Sequence, residues 1–229
     1  MKKEEIPQGH REYHNSHGEQ VPSVTTVLKI YGKDLTGWAN WLGKQGIDAK
    51  TYVINKATYG TYIHSLAEKY FSGDETVLVN TDKIISDVDY EKYIDKFTYL
   101  KETMEQKGFT VHSCEVPLEG DRCGGTADIL FHNKETDKYI LLDFKTSKAI
   151  YPSMFIQLGG YTDLFLETKG IEISVVGIIL IQEEKDSSSF VNLRSVKDNE
   201  SSRLIFNKLL DIYYLMSDSE RISLLTNKR

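Results

Sequence analysis

Hydrophobic positions recur at helical spacing through the first half of this chain and at strand spacing through most of the second. Residues 1–20 are polar and aperiodic, with His10, His14 and His17, and read as a loose or edge-paired arm rather than a metal-binding histidine tract. Val24, Val27, Leu28 and Tyr31 predict a short helix with Pro22 at its first position and Gly32 at its end. Within Leu35–Asp48, Trp38, Trp41, Leu42 and Gln45 fall at i, i+3, i+4 and i+7 and predict a helix. One of the two tryptophans is expected in the core; the other reading of the stripe is a base-stacking surface. Lys56–Phe71 carries Ile63, Leu66, Ala67 and Tyr70 on one face, with His64 at its shoulder. After a loop over Ser72–Ser86, broken by the apolar run Val77–Val79, Asp87–Lys107 predicts a helix ended by Gly108. Its inward side is Tyr90, Tyr93, Ile94, Phe97, Leu100 and Met104.

From Phe109 the rhythm changes. Phe109–Leu118 reads as a strand with Val111, Ser113, Glu115 and Pro117 on one face, and Pro117 puts it at an edge or a strand end. Ile129–Phe131 and Tyr139–Leu142 flank the polar stretch Asn133–Lys138 as a hairpin. Pro152–Lys169 predicts a helix with Met154, Leu158, Tyr161, Leu164, Phe165 and Leu166 as its apolar stripe, Pro152 in its first turn and Gly170 at its end. The β-branched run Ile173–Ile181 suits a central strand covered on both faces. A polar turn over Gln182–Ser189, a strand over Phe190–Val196, a helix over Ser201–Leu215 and a peripheral Ser217–Arg229 complete the chain. The expected fold is α/β: a mixed central β-sheet flanked by helices at 109–229, with a helical N-terminal elaboration at 1–108 packed on it as one compact unit.

At 229 residues, with 40% hydrophobic and 27% charged positions, the chain can bury a substantial core. Cys114 and Cys123 are too few for a disulfide framework or a four-cysteine iron–sulfur cluster and fit a reducing compartment. No apolar run approaches the ~18 residues of a membrane span, and the start M-K-K-E-E lacks the apolar core of a signal peptide. A cytoplasmic protein with no membrane partner is expected. The net charge of −6 argues against a surface-wide polyanion binder. Locally the balance differs: residues 20–60 hold five lysines against two aspartates, whereas 61–110 hold six lysines against ten acids. A nucleic-acid backbone would therefore run along the first region.

The chemistry concentrates in the hairpin. Asp128 opens its first strand, and Asp143 and Lys145 close its second. Side chains two apart on a strand share a face, so Asp143 and Lys145 point together with Phe144 opposite, and the hairpin can bring Asp128 alongside. Two carboxylates beside an ammonium suit a hard divalent cation at a phosphoryl group, although for D-x-K alone an incidental ion pair on a surface hairpin is the better reading. On the helix that follows, Gln157 and Tyr161 lie one turn apart on one face.

Taken together, G-G-T-A-D at 124–128, D-F-K-T at 143–146 and Q-L-G-G-Y at 157–161 resemble the RecB-type branch of the PD-(D/E)XK nuclease superfamily, whose core is restriction-endonuclease-like. G-T-Y-I-H at 60–64 resembles that branch's histidine-bearing helix, and V-P-S-V-T-T-V-L at 21–28 resembles phage exonucleases and the mitochondrial genome maintenance exonuclease. The resemblance implies a DNA exonuclease of recombination, repair or replication, phage-encoded or bacterial, acting on single-stranded ends. Recombination or replication proteins are its implied partners. It implies one or two Mg²⁺ or Mn²⁺ ions on Asp128, Asp143 and the Phe144 carbonyl, with Lys145 positioning or polarising the attacking water. His64 is either a further ligand or structural, and Glu115 either a ligand or an ordinary edge-strand charge. Gln157, Tyr161 and Thr146 would hold substrate. Ser23 and Thr25 would offer hydroxyls to phosphates or simply cap their helix. The alternatives are a noncatalytic nucleic-acid-binding or recombination-partner module on the same fold, and a structure-specific endonuclease.

Overall fold

The computed structural model describes residues 11–32, 35–77, 87–181 and 191–226. His10, the 182–189 turn, Phe190 and most of the Val77–Val79 run lie outside the described residues. The chain opens with a small antiparallel pair, β1 (Tyr13–His14) on β2 (Gln20–Val21), the edge-paired form of the polar arm. Ser23 then caps α1 (Val24–Leu28), its Oγ accepting from the Thr26 N–H at 3.0 Å. Pro22 is therefore not the first helical residue, as the spacing predicted: it stands ahead of the cap, and the capping hydroxyl sets the start. A short 3-10 turn, Lys29–Tyr31, carries the chain to Gly32.

α2 (Thr36–Lys44) buries Leu42, but neither tryptophan enters the core. Trp41 is 53% exposed, and half-buried Trp38 packs edge-on against Tyr52. The helix has one short side against the body, and Leu42 fills it. α3 (Ala49–Ser72) starts seven residues before the predicted Lys56 because Asp48 caps it, accepting from the Thr51 N–H at 2.7 Å. Gly73 ends it in the left-handed region. α4 (Asp87–Gln106) buries Tyr93, Phe97, Leu100 and Met104, whereas Tyr90, expected inward, is exposed.

The sheet follows: β3 (Thr110–Glu119), β4 (Gly124–Asn133), β5 (Lys138–Lys145), then the crossover helix α5 (Pro152–Lys169), β6 (Ile173–Leu180) and β7 (Val191–Ser195). Among the described residues its order is β3-β4-β5-β6-β7, all neighbours antiparallel except β5 and β6. Parallel pairing needs a crossover, and α5 supplies it. The fold is thus α/β with a mixed sheet flanked by helices. β3 is an edge, where Pro117 is tolerated. A register shift between Val111 and Ser113 sets those residues against Phe131 and Leu130, on opposite faces, so the single face expected from plain alternation is broken by the bulge.

One sheet face is covered by α3 and α4: Phe71 stacks on Phe144 at 5.9 Å, and Phe97 meets Phe144 edge-on at 5.8 Å. Residues of both predicted segments, from Val24 to Tyr213, share one hydrophobic core. α5 packs against α6 (Glu200–Leu215) at Gly159 and Gly160, where a Cβ would stand 2.7 Å from the Arg203 backbone and 2.8 Å from the Phe206 ring. Leu166, predicted in the α5 stripe, is exposed, near the end of α5 and two turns beyond that contact. A final helix, α7 (Asp218–Thr226), occupies the segment expected to be peripheral. No helix among the described residues is long and apolar enough to cross a membrane.

Candidate active site

β4 and β5 part company at two aspartates. Their ladder ends with Ile129 opposite Leu142; beyond it, among the described residues, β4 pairs with β3 and bridges Ser23 at Gly124, while β5 pairs with β6. Continuing those registers sets Glu115, Asp128 and Asp143 in one row across β3, β4 and β5. The Phe144 N–H, which has lost a β4 carbonyl at this fork, donates instead to Asp128 Oδ2 at 2.7 Å. Backbone donors this buried need a partner, so the fork fixes the Asp128 carboxylate in place. Phe144 contributes that N–H while its ring lies in the core, opposite Asp143 and Lys145 as alternation requires.

A cavity of about 350 Å³ fills the fork. It is lined by Asp128, Asp143, Lys145, His64, Glu115, Gln157, Tyr161, Ser23 and Thr25, all nine singled out in the sequence. Thr146 stays outside the lining; its Oγ1 lies 3.6 Å from where a Cβ on Gly60 would stand. Ser23 Oγ serves both as helix cap and as partner to Thr25 Oγ1 at 3.0 Å. Gln157 Nε2 reaches the Tyr161 hydroxyl at 3.4 Å.

The arrangement also contains residues that the sequence reading missed. Arg11, Tyr13, Gly125 and Thr126 complete the lining. Tyr13 packs so close to Gly124 that a Cβ there would lie 2.5 Å from its own Cβ, and Tyr161 comes as close to Gly125. The glycine pair of G-G-T-A-D thus admits two aromatic rings, one on each glycine. An isolated R-x-Y in a polar arm carries no periodicity, so only the fold could place it.

Electrostatics make this a tightly coupled site. His64 Nδ1 stands 3.3 Å from Asp128 Oδ1. Burial pulls the imidazole down, but the Asp128 carboxylate outweighs it and carries His64 up to about 9. Burial opposes ionisation of Asp128 too, and His64, Lys145 and the Phe144 N–H together hold it below the usual carboxylate range. Lys145 Nζ lies 2.5 Å from Asp143 Oδ2. Burial raises Asp143 to about 6 despite that ammonium, while Lys145 is kept above its ordinary value because Asp143 and Asp128 outweigh desolvation. Burial and the charge of Asp128 push Glu115 up to about 7.

Among the described residues, ligand atoms of His64, Glu115 and Asp128 gather within 4.8 Å of one another. Asp143 is not in that group; its carboxylate is engaged by Lys145. The donor set fits a divalent cation: one imidazole and two half-buried carboxylates, the charge of Asp128 helping to push Glu115 up. Glu115 carries a further mark, a backbone φ of +46°, rare for a residue with a side chain. Such strain persists where surrounding structure enforces it, and here it accompanies a carboxylate turned into the cavity.

No family model matches the chain, and no curated protein matches it. Among solved structures that match is the crystal structure of SSO0001, at 12% identity and a TM-score of 0.30 over 65% of this chain and 70% of that one. A likeness of that strength carries no argument about fold or function.

Proposed function

We propose that this protein is a divalent-metal-dependent deoxyribonuclease of the PD-(D/E)XK type that hydrolyses DNA from single-stranded ends. The observation that carries the reading is the fork, where half-buried Glu115 and Asp128 and buried Asp143 form a row beside Lys145 in one cavity. Sequence motifs far apart in the chain, at 23–25, 64, 128, 143–145 and 157–161, converge there.

Asp128, with His64 and Glu115 beside it and Asp143 next in the row, would hold Mg²⁺ or Mn²⁺. Such an ion supplies charge stabilisation at the phosphoryl oxygens and a more acidic water. Lys145 is held protonated by Asp143, so it donates: it orients the attacking water through the water oxygen or meets a non-bridging phosphate oxygen. It is not the base. Tyr161, whose phenol burial keeps neutral, and Gln157 donate to the strand backbone, and their mutual hydrogen bond fixes both. Ser23 and Thr25 would present hydroxyls to the same cavity. The Phe144 N–H keeps Asp128 from rotating away.

The approach to the cavity suits a flexible strand. α1, which carries Ser23 and Thr25, leads to α2 with exposed Trp41, and Lys56 of α3 lies over the rings of Tyr52 and Tyr59 at 5.9 and 5.7 Å. Aromatic faces with interleaved lysines bind single strands with little regard to sequence. The test is digestion of linear and circular single-stranded DNA with Mn²⁺ or Mg²⁺. Linear strands should be degraded and circles left intact; cleaved circles would contradict the requirement for an end.

A further inference from the structure

Arg11 has no part in the chemistry described above, yet its position is built. Arg11 lies two residues before Tyr13, the residue that opens β1, and both line the cavity. Tyr13 is the anchor: 9% exposed, packed on Gly124, its hydroxyl 3.0 Å from Thr126 Oγ1. From there Arg11 Nη1 reaches Glu115 Oε2 at 3.2 Å and donates to Thr126 Oγ1 at 2.9 Å. Among the described residues its Nε and Nη2 make no hydrogen bond, and its side chain is 61% exposed at the cavity mouth. Arg11 and Lys145 are the two strong bases of the lining, and Lys145 is committed to Asp143.

We infer that Arg11 is a phosphate clamp that exchanges partners, resting on Glu115 in the metal-free protein and moving to a non-bridging phosphate oxygen of the DNA strand when Glu115 takes up a divalent cation. The inference rests on the nuclease reading of this cavity. An ion pair this exposed is weakly held. A cation at Glu115 repels the guanidinium from that carboxylate, and the idle Nε–Nη2 edge matches two phosphate oxygens. Thr126 stays as the pivot, since its hydroxyl holds both Arg11 and Tyr13.

The exchange predicts effects of opposite sign in Arg11→Gln. Titrated with Mn²⁺ in the absence of DNA, this variant should bind the ion severalfold more tightly than the natural protein. With labelled oligo(dT) and Ca²⁺ its strand affinity should fall. The slope of log affinity against log salt should fall with it by about 0.7, the value for one phosphate contact on a single strand. Arg11→Lys, which keeps the charge without the fork, should leave Mn²⁺ affinity near that of the natural protein and restore the salt slope. Unchanged strand affinity, or metal and strand affinity falling together, would overturn the exchange and leave Arg11 a brace for Glu115. Opposite shifts in Arg11→Gln, together with no hydrolysis by the natural protein, would sink the nuclease reading and leave the exchange standing.

Discussion

Gly125 and Tyr161 are made for each other: a Cβ on the glycine would stand 2.5 Å from Tyr161 Cε1, inside any permitted contact. The ring is buried and part of the cavity wall, so it cannot retreat without reshaping the site. Gly125→Ala should therefore cost roughly 1–3 kcal/mol in urea unfolding, as overpacking does. In a Tyr161→Ala background the same substitution should cost far less, and the double-mutant cycle reads the coupling. Equal costs in the two backgrounds would place the conflict elsewhere.

Metal-free protein should lose stability as pH rises. Glu115 and Asp143 have folded values, about 7 and about 6, above those of the unfolded chain, so the native state binds more protons than the unfolded state through mildly acidic pH. His64, raised to about 9, contributes stability that is complete below the unfolded value near 6.5 and is lost as pH climbs through 9. The melting temperature in EDTA should decline from pH 5 to 9, and added Mn²⁺ should raise it more at pH 8 than at pH 6, because the ion competes with those protons. A flat EDTA profile would contradict the shifts.

His64→Gln separates the two ions. Imidazole favours Mn²⁺ over Mg²⁺ relative to an all-oxygen site, so the variant's affinity for Mn²⁺ should fall further than its affinity for Mg²⁺, as read by calorimetry. Equal losses would assign His64 to orienting Asp128 through their 3.3 Å contact rather than to ligation.

Trp41 tests the strand path. With its side chain largely in solvent, Trp41→Ala should change stability by less than about 0.5 kcal/mol. Oligo(dT) affinity should weaken by roughly 1–3 kcal/mol, the range for one stacked base. Loss of stability without loss of affinity would make it a packing residue after all.

Much of this was legible in residue order. The α5 helix was readable to its ends because Pro152 and Gly170 punctuate it, and the hairpin because two apolar runs flank a polar turn. Asp143, Lys145 and Phe144 followed from strand alternation alone. Where local rules failed, tertiary geometry had overridden them. The bulge at Val111/Ser113 broke the alternation of β3, the Ser23 hydroxyl displaced Pro22 as the start of α1, and Leu42 took the buried position of α2 while Trp38 stayed half-buried on Tyr52 and Trp41 exposed. The fork itself had no local signal. It arises because β4 stays with β3 while β5 follows β6, a choice set by long-range pairing, and it is the fork that brought Arg11 and Tyr13 to the acids.

The most direct measurement is hydrolysis of end-labelled single-stranded DNA in Mn²⁺ by the natural protein and by Lys145→Ala. Turnover should be present in the first and reduced by at least about a hundredfold in the second, the scale for removing one preorganised donor from a reacting centre, with the variant still folded and still binding Mn²⁺. Undiminished hydrolysis by Lys145→Ala, or none by the natural protein with either ion, would contradict the assignment of this fork as a nuclease centre.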